Sequence, residues 1–297
     1  MVADSLEEAL ARASEKLSGM GPVVELRERR ILVVGDTHGY PEVTRWALSL
    51  GDRLGVEAVV FLGDYVDRGP DGVGNLALLA EALVEDRRVY MLRGNHEDPY
   101  MNQYYGFADE LKAKNLTQLY PAVSSLYQYL PIIAVAKPLF LVHGGIPCRK
   151  CSSTREEAWR INEIAGELGK VWGTRKSLDT YYGNKVLRHL LWNDPSIEVE
   201  WYSESPRGPG IYYYGPAAWG MFLKENNLKA IVRAHEKVDA ALAACDTSIR
   251  PLSGTLSLED IAGCVLTVFS SLYHGEGAGA LEFILDEGRI HAYRYGG

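Results

Sequence analysis

Eight polar side chains of this sequence have the types needed to hold metal ions and move protons together. They are Asp36 and His38 in GDTHG, Asp64 and Asp67 in GDYVDRG, Asn95 and His96 in GNHE, His143 in LVHGG and His235 in VRAHE. Imidazole nitrogen combined with carboxylate and amide oxygen suits manganese, iron or zinc better than calcium, which prefers oxygen alone. The set is too rich for one four-coordinate ion. Two ions sharing a bridging carboxylate, about 3.5–4 Å apart, would use it more fully. In FLGDYVDRGPDG, the charges of Asp64, Asp67 and Arg68 crowd one turn, which is costly unless each is compensated. Cations would compensate Asp64, and a phosphate would compensate Arg68. Taken one at a time, each stretch reads as readily as a solvated, glycine-rich turn. Their joint occurrence in this order is what argues for a site.

A site needs elements that bring these stretches together. Each follows a short apolar run: ILVV (31–34), AVVFL (58–62), VYML (89–92), PLFLVH (138–143) and AIVR (230–233). A sixth run, CVLTVF (264–269), leads into SSLYHGEG. Residues 41–54 and 73–84 read as amphipathic helices, so strand–helix alternation predicts right-handed βαβ units and a parallel sheet. Ligands of open α/β sheets bind just outside the carboxyl ends of the strands, which would gather the eight residues on one rim. Gly35, Gly63, Gly94, Gly144 and Gly145 would let the backbone turn sharply beside the ions. Near the C-terminus, ALEFIL (280–285) and RIHAYRY (289–295) predict an antiparallel hairpin.

At the N-terminus, Ser5 with Glu8 reads as a capping box opening a helix whose apolar face is Leu6, Ala9, Leu10, Ala13 and Leu17, closed by Gly19. Residues 152–191 read as mostly helical, with an interruption around DTYYGNK. No repeat, low-complexity tract or linker divides the chain. A single catalytic domain over 1–297 is expected, with 1–20 as a helical appendage that carries no chemistry.

With 31 basic and 39 acidic residues, the net charge of −8 argues against a broad nucleic-acid footprint and against a polybasic membrane surface. No apolar run is long enough to span a bilayer, and the acidic start is unlike a secretory signal, so the expected setting is cytoplasmic. Four cysteines are too few for a disulfide framework. Cys148 and Cys151 in CRKC read as two ordinary thiols of a loop. Half a zinc site, needing Cys245 and Cys264 or histidines brought nearby, and a reversible disulfide that shuts an enzyme off are the other readings.

The ordered motifs GDxHG, GDxxDRG, GNHE, HGG and RAH resemble those of the phosphoprotein phosphatases, the metal-dependent serine/threonine phosphatases that include the type 1, type 2A and calcineurin enzymes. The likeness runs from about residue 31 to about 280 and takes in YGFADE (105–110) and LLWNDP (190–195). It implies the calcineurin-like metallophosphoesterase fold, an α/β sandwich of two mixed β-sheets flanked by helices. It implies that Asp36 and His38 hold one ion, that Asp64 bridges both, and that Asn95, His143 and His235 hold the other. Manganese is the ion expected to serve in vitro, with iron or zinc as alternatives. His96 would protonate the leaving alkoxide, oriented by Asp67, while Arg68, Asn95, Arg207 and Tyr273 bind the phosphate. The implied reaction is hydrolysis of phosphoserine and phosphothreonine esters in proteins by a water or hydroxide bridging the two ions.

Several features depart from the family pattern. Arg207 in SESPRGPG has unfamiliar flanks, and Tyr273 lies in a loop that is one residue short, lacks a Pro-Asn pair and carries His274 where the family has cysteine. Residues 166–185 and 237–261 are longer than in compact members, and are expected to narrow the substrate groove or to pad the surface. The altered Tyr273 loop and the lack of a long regulatory tail predict an archaeal or bacterial member, for which regulatory subunits known elsewhere do not transfer. Two other functions remain open at this stage: hydrolysis of nucleotides or dinucleoside polyphosphates, and a catalytically silent scaffold of the same fold. Retention of every expected ligand and of His96 argues against the scaffold.

Overall fold

The computed structural model describes residues 2–275 and 277–296, with side chains from Ser5 onward. Two mixed sheets face each other. One has seven strands in the order β1 (Val23–Glu25), β5 (Ile133–Ala136), β6 (Leu139–Val142), β10 (Ala230–Arg233), β14 (Cys264–Val268), β11 (Ala241–Cys245) and β12 (Ser248–Pro251). The other has six: β13 (Gly254–Ser257), β16 (Arg289–Arg294), β15 (Gly279–Ile284), β2 (Arg30–Val34), β3 (Ala58–Phe61) and β4 (Val89–Met91). A small third sheet joins β7 (Asp194–Pro195), β9 (Tyr212–Tyr214) and β8 (Tyr202–Glu204). The expected parallel pairings are present as β2–β3–β4 and as β6–β10–β14, but they fall in two different sheets. The predicted C-terminal hairpin forms as β15–β16, and β15 pairs antiparallel with β2.

The continuous apolar runs follow from this layering, because a strand covered on both faces has no side to leave polar. In β2, Ile31 and Val33 enter the core between the sheets, while Leu32 and Val34 enter a second core beneath helices. In β6, Leu139 and Leu141 face the inner core, and Phe140 and Val142 face a third one on the far side. Helices α1 (Val2–Ser18), α2 (Pro41–Leu54), α3 (Gly72–Glu85), α5 (Phe107–Ala113) and α6 (Tyr120–Tyr129) lie on the six-stranded side, while α4 (Pro99–Tyr105) puts Met101 into the core of the other side. Helices α7 (Ile161–Gly169), α8 (Lys185–Trp192) and α9 (Pro216–Glu225) lie on the other.

Some elements differ from the sequence reading. Helix α1 begins before Ser5, so Ser5 and Glu8 sit inside it and form no capping box at its start. Its Leu6, Leu10, Ala13 and Leu17 are buried against α3 and α6. Leu10→Ala is expected to cost about 2–5 kcal/mol, as deletion of a fully buried leucine does. Denaturant unfolding measures this, and a loss below about 1 kcal/mol would be that of a surface change. Residues 152–191 hold only two short α-helices, α7 and α8, and between them lie Gly173, with a left-handed φ of 71°, and Gly183. The long 237–261 stretch supplies β11, β12 and β13, two of which are outer strands of the large sheets.

All four cysteines are paired, contrary to the expectation of ordinary thiols. Cys148 bonds Cys151, and Cys245 on β11 bonds Cys264 directly opposite on β14. A register pairing of two residues on adjacent strands is invisible to a count of cysteines.

Candidate metal centre

The predicted rim exists, at the junction of the two large sheets. Asp36 follows β2 and bridges to Phe269 after β14, and this contact ties the sheets together at their carboxyl ends. A side chain at Gly35 could not be accommodated, since its Cβ would lie 2.1 Å from the Val268 carbonyl oxygen. At Gly63, where φ is +117°, a Cβ would lie 2.3 Å from the Gly94 nitrogen. The loops are held to one another by backbone bonds: the amides of Thr37 and His38 both donate to the Asp64 carbonyl, at 3.1 and 2.9 Å. Glu97, fully buried, accepts from the amides of Asp64, Tyr65 and Gly94, each at 2.8 Å.

That clamp is needed because the loops are strained. His38, Asp64, Asp67, Arg68 and His235 all take left-handed φ, between 40° and 66°. Non-glycine residues there cost about 1–3 kcal/mol each and persist only where their surroundings over-determine them. Glu97→Gln halves the accepting capacity facing the three amides. It is expected to lower stability by about 1–3 kcal/mol, measured as a shift of the urea midpoint of the metal-free protein. An unchanged midpoint would mean that Glu97 does not hold the loops.

Six side chains converge with lone pairs facing one another. The imidazole Nδ1 of His38 lies 2.9 Å from the Val66 carbonyl, and Nδ1 of His143 lies 3.1 Å from that of Leu62. A carbonyl can only accept, so each Nδ1 carries the proton and each Nε2 presents a lone pair. His38 Nε2 looks onto Asp36 and Asp64 carboxylate oxygens at 3.8 and 3.6 Å. His143 Nε2 looks onto Asn95 Oδ1 at 2.9 Å, His235 Nδ1 at 3.2 Å and Asp64 Oδ2 at 3.4 Å. All six residues are buried. Acceptors gathered so closely repel unless cations lie among them, and the mix of nitrogen and oxygen donors suits transition-metal or zinc ions. Asp64 belongs to both groupings, one with His38 and His96 and one with His143 and His235.

The field at the site has the same sense. Burial raises the Asp36 pKa, and the neighbouring Asp64 carboxylate adds to that, pushing it up to about 6. Burial also acts to raise Asp64, but His143 and His96 outweigh it and hold Asp64 well below the usual carboxylate range. Burial depresses His38 to about 3 and His235 well below its ordinary value, so both are neutral, as ligands must be. At His143 burial is outweighed by Asp64, and its pKa moves up. Positive charge is stabilised at that spot.

His96 stands beside this cluster. Its Nδ1 is 2.7 Å from Asp67 Oδ2, and its Nε2 is 4.0 Å from Asp64 Oδ2. Asp67 is itself fixed by Asn102 Nδ2 at 3.0 Å and by the Phe107 amide at 2.9 Å. Burial acts to lower the His96 pKa, but Asp64 and Asp67 together raise it, so the ring holds its second proton more firmly than usual. A cavity of about 240 Å³ is lined by Asp36, His38, Asp64, Asn95, His96 and His235 together with Arg68 and Arg207. Arg207 is anchored through Nε to Asp194, which also takes Arg233 Nη2 at 2.7 Å. The guanidinium of Arg68 lies 4.6 Å from the centre of the Tyr105 ring and 5.7 Å from that of Tyr273. Tyr273 thus sits over Arg68, 44% exposed, and it is His274 that lines the cavity wall.

Sequence alone assigns no role to Glu97, Asn102, Tyr105, Trp192, Asp194 or Lys237, although Tyr105, Trp192 and Asp194 lie in the quoted YGFADE and LLWNDP motifs. Tyr105, Trp192 and Lys237 line the cavity. Trp192 is positioned by Thr180, whose hydroxyl accepts from its Nε1 at 3.3 Å and donates to Asp98 at 2.7 Å. The long 166–185 stretch is thereby fastened to the residue directly after GNHE.

Residues 29–239 match the calcineurin-like phosphoesterase family. A protein phosphatase 2A catalytic subunit of Dictyostelium discoideum is 31% identical over 239 residues, 78% of this chain and 70% of that protein. The chain belongs to the phosphoprotein phosphatases. Human serine/threonine-protein phosphatase 5 is 34% identical to this phosphoprotein phosphatase over 234 residues, 76% of the chain. The chain spans about half the length of curated relatives of this kind, 49% and 43% in two of them. Among solved structures, a protein serine/threonine phosphatase from Saccharomyces cerevisiae, with similarity to human phosphatase PP5, superposes with a TM-score of 0.75. It is 22% identical and covers 98% of this chain and 89% of its own, so the fold is shared. Membership of this family implies a divalent metal centre, and the converging donors fit one.

Proposed function

We propose that this phosphoprotein phosphatase hydrolyses phosphoserine and phosphothreonine esters of proteins. The observation that carries the reading is one cavity faced at once by five of the six converging donors, by His96 and by two arginines, with the sixth donor, His143, 2.9 Å from Asn95 Oδ1. Asp36, His38 and Asp64 would hold one metal ion, and Asp64, Asn95, His143 and His235 the other. When bound, the ions supply an activated water and neutralise phosphoryl charge. Manganese is expected to serve in vitro.

The chain's own residues do the rest. Arg68 and Arg207 grip phosphoryl oxygens, with Arg207 aimed by Asp194 and Arg68 braced on Tyr105. Asn95 lines the same cavity and adds a polar contact. His96, its Nδ1 proton on Asp67, presents Nε2–H to the departing serine or threonine oxygen and gives that proton up as the bond to phosphorus breaks. Tyr273 covers Arg68 from the rim. Residues 1–297 work as one catalytic domain, a reading supported by the burial of α1 in a core shared with β2 and β3. Phosphorylated proteins are the partners. Among the described residues no helix is long and apolar enough to cross a membrane, and a cytoplasmic setting is part of this proposal.

The test is phosphate release from phosphoserine, phosphothreonine and phosphotyrosine peptides by the manganese-loaded chain, with diadenosine tetraphosphate alongside. Release from the first two is expected. Release from the nucleotide alone would make the chain a nucleotide hydrolase, and silence on all four would leave a scaffold.

A further inference from the structure

Near the cavity, but outside it, lies a second group of metal-ligating atoms. Cys148 Sγ, Cys151 Sγ and a ring nitrogen of His189 all fall within 4.8 Å of one another. His189 comes from α8, forty-one residues away in sequence, and its Nδ1 is 3.6 Å from Cys148 Sγ. We propose that these three residues form a redox-gated site for a thiophilic divalent ion such as zinc, closed while the sulfurs are bonded and open once they are reduced.

Three features of the fold point to a built site. First, the loop that carries the sulfurs is held by something other than the disulfide. The buried carboxylate of Glu156 accepts from the amides of Arg149, Lys150 and Cys151 at 3.1, 2.6 and 3.1 Å. Opening the S–S bond therefore leaves both sulfurs beside each other and beside the ring. Second, His189 is fully buried, and its Nδ1, the ring nitrogen beside the sulfur, receives a long contact, 3.4 Å, from the Cys148 amide. A neutral ring with a weakly engaged lone pair is what a metal needs. Burial, assisted by Lys185 and Arg188, pushes its pKa down to about 3 and keeps it neutral. Third, Cys148 is buried while Cys151 is partly exposed, so solvent can reach the sulfurs from one side. Two cysteines and one histidine leave the fourth tetrahedral position to water.

Opening the site takes a two-electron reduction. A dithiol reductant gives two electrons and two protons, the Cys148–Cys151 bond breaks to two thiols, and the reductant becomes a disulfide. The ion then binds both sulfurs as thiolates and releases the two protons. In a reducing compartment the open form is favoured. The site also touches the catalytic region through backbone. Gly144 and Gly145 donate to the Leu190 carbonyl at 2.8 and 3.2 Å, and Asn193 Nδ2 donates to the Ile146 carbonyl at 3.0 Å. The segment carrying Cys148 is thus laced to the one carrying Trp192 and Asp194.

Cobalt(II) provides the test, because thiolate ligation gives it a near-ultraviolet charge-transfer band and the catalytic centre contains no sulfur. The full chain is reduced with dithiothreitol, freed of reductant without oxygen, and titrated with Co²⁺. The band is expected in the reduced chain, absent in the oxidised one, and lost in the C148S/C151S double variant. H189Q should weaken cobalt binding about tenfold or more, as loss of a group that holds a metal does. Should H189Q fail to fold, C151A serves instead, and it should also abolish the band. No band in a reduced chain whose free thiols have been counted would overturn the proposal. So would a band that survives in C148S/C151S, which would place the ion on Cys245 and Cys264, or a cobalt affinity unchanged in folded H189Q.

Discussion

Replacing His96 by alanine is expected to lower kcat on a phosphoserine peptide by about 10²–10⁴, the usual size of a general-acid contribution. The expectation follows from geometry. His96 Nδ1 meets a carboxylate at hydrogen-bond distance, 2.7 Å, where those of His38 and His143 meet backbone carbonyls and the Asp36 carboxylate stays 3.9 Å from His143 Nδ1. Asp67 thus fixes the ring and supports its positive charge, which fits the proposed role of His96 as proton donor, while the carbonyls facing His38 and His143 leave their Nε2 lone pairs for ligation. With Arg68 and Arg207 in their proposed role of gripping the phosphate, KM should change little, and the loss should fall on kcat. Metal content should match that of the unaltered chain. An unchanged kcat would remove His96 from the chemistry, and a loss of metal would make it a ligand.

Asp64→Asn should have the larger effect, taking activity to the assay background with at least one ion lost per chain. Asp64 Oδ2 lies 3.6 Å from His38 Nε2 and 3.4 Å from His143 Nε2, between the two donor groupings. Its Oδ1 accepts from the His96 amide at 2.9 Å, a bond that asparagine can keep, so the loop should survive the change. What is lost is the charge shared by both positions. Elemental analysis showing two ions still bound would contradict the bridging role.

Much of this was legible in the sequence because each motif pairs a chemistry-bearing residue with the end of an apolar run. The strands at 31–34, 58–62, 89–92, 138–143, 230–233 and 264–269 are found within a residue or two as β2, β3, β4, β6, β10 and β14. Their alternate residues enter two different cores, which the continuous apolar composition announced but could not order into two sheets. β1 offers only VVE, whereas β5 and β11 lie in apolar runs, IIAVA (132–136) and AALAAC (240–245), that no chemistry-bearing motif marks. Residues that act through others were hidden for a further reason. Glu97, Asn102 and Asp194 have the composition of ordinary loop residues, and their value lies in which amides, rings or guanidinium groups they meet. Tyr273 shows the opposite limit. The motif likeness puts it at the phosphate, and the structure shows its ring 5.7 Å from the Arg68 guanidinium while His274 of the same loop lines the cavity wall.

The most direct test of the central claim follows bound metal and turnover on one sample. Metal-stripped chain is titrated with Mn²⁺ while phosphate release from a phosphoserine peptide is recorded alongside ions bound per chain. A two-ion hydrolytic centre requires that activity follow the fraction of chains holding both ions, so full activity is expected only at two ions bound per chain. Full activity at one ion per chain, or none with two bound, would contradict it.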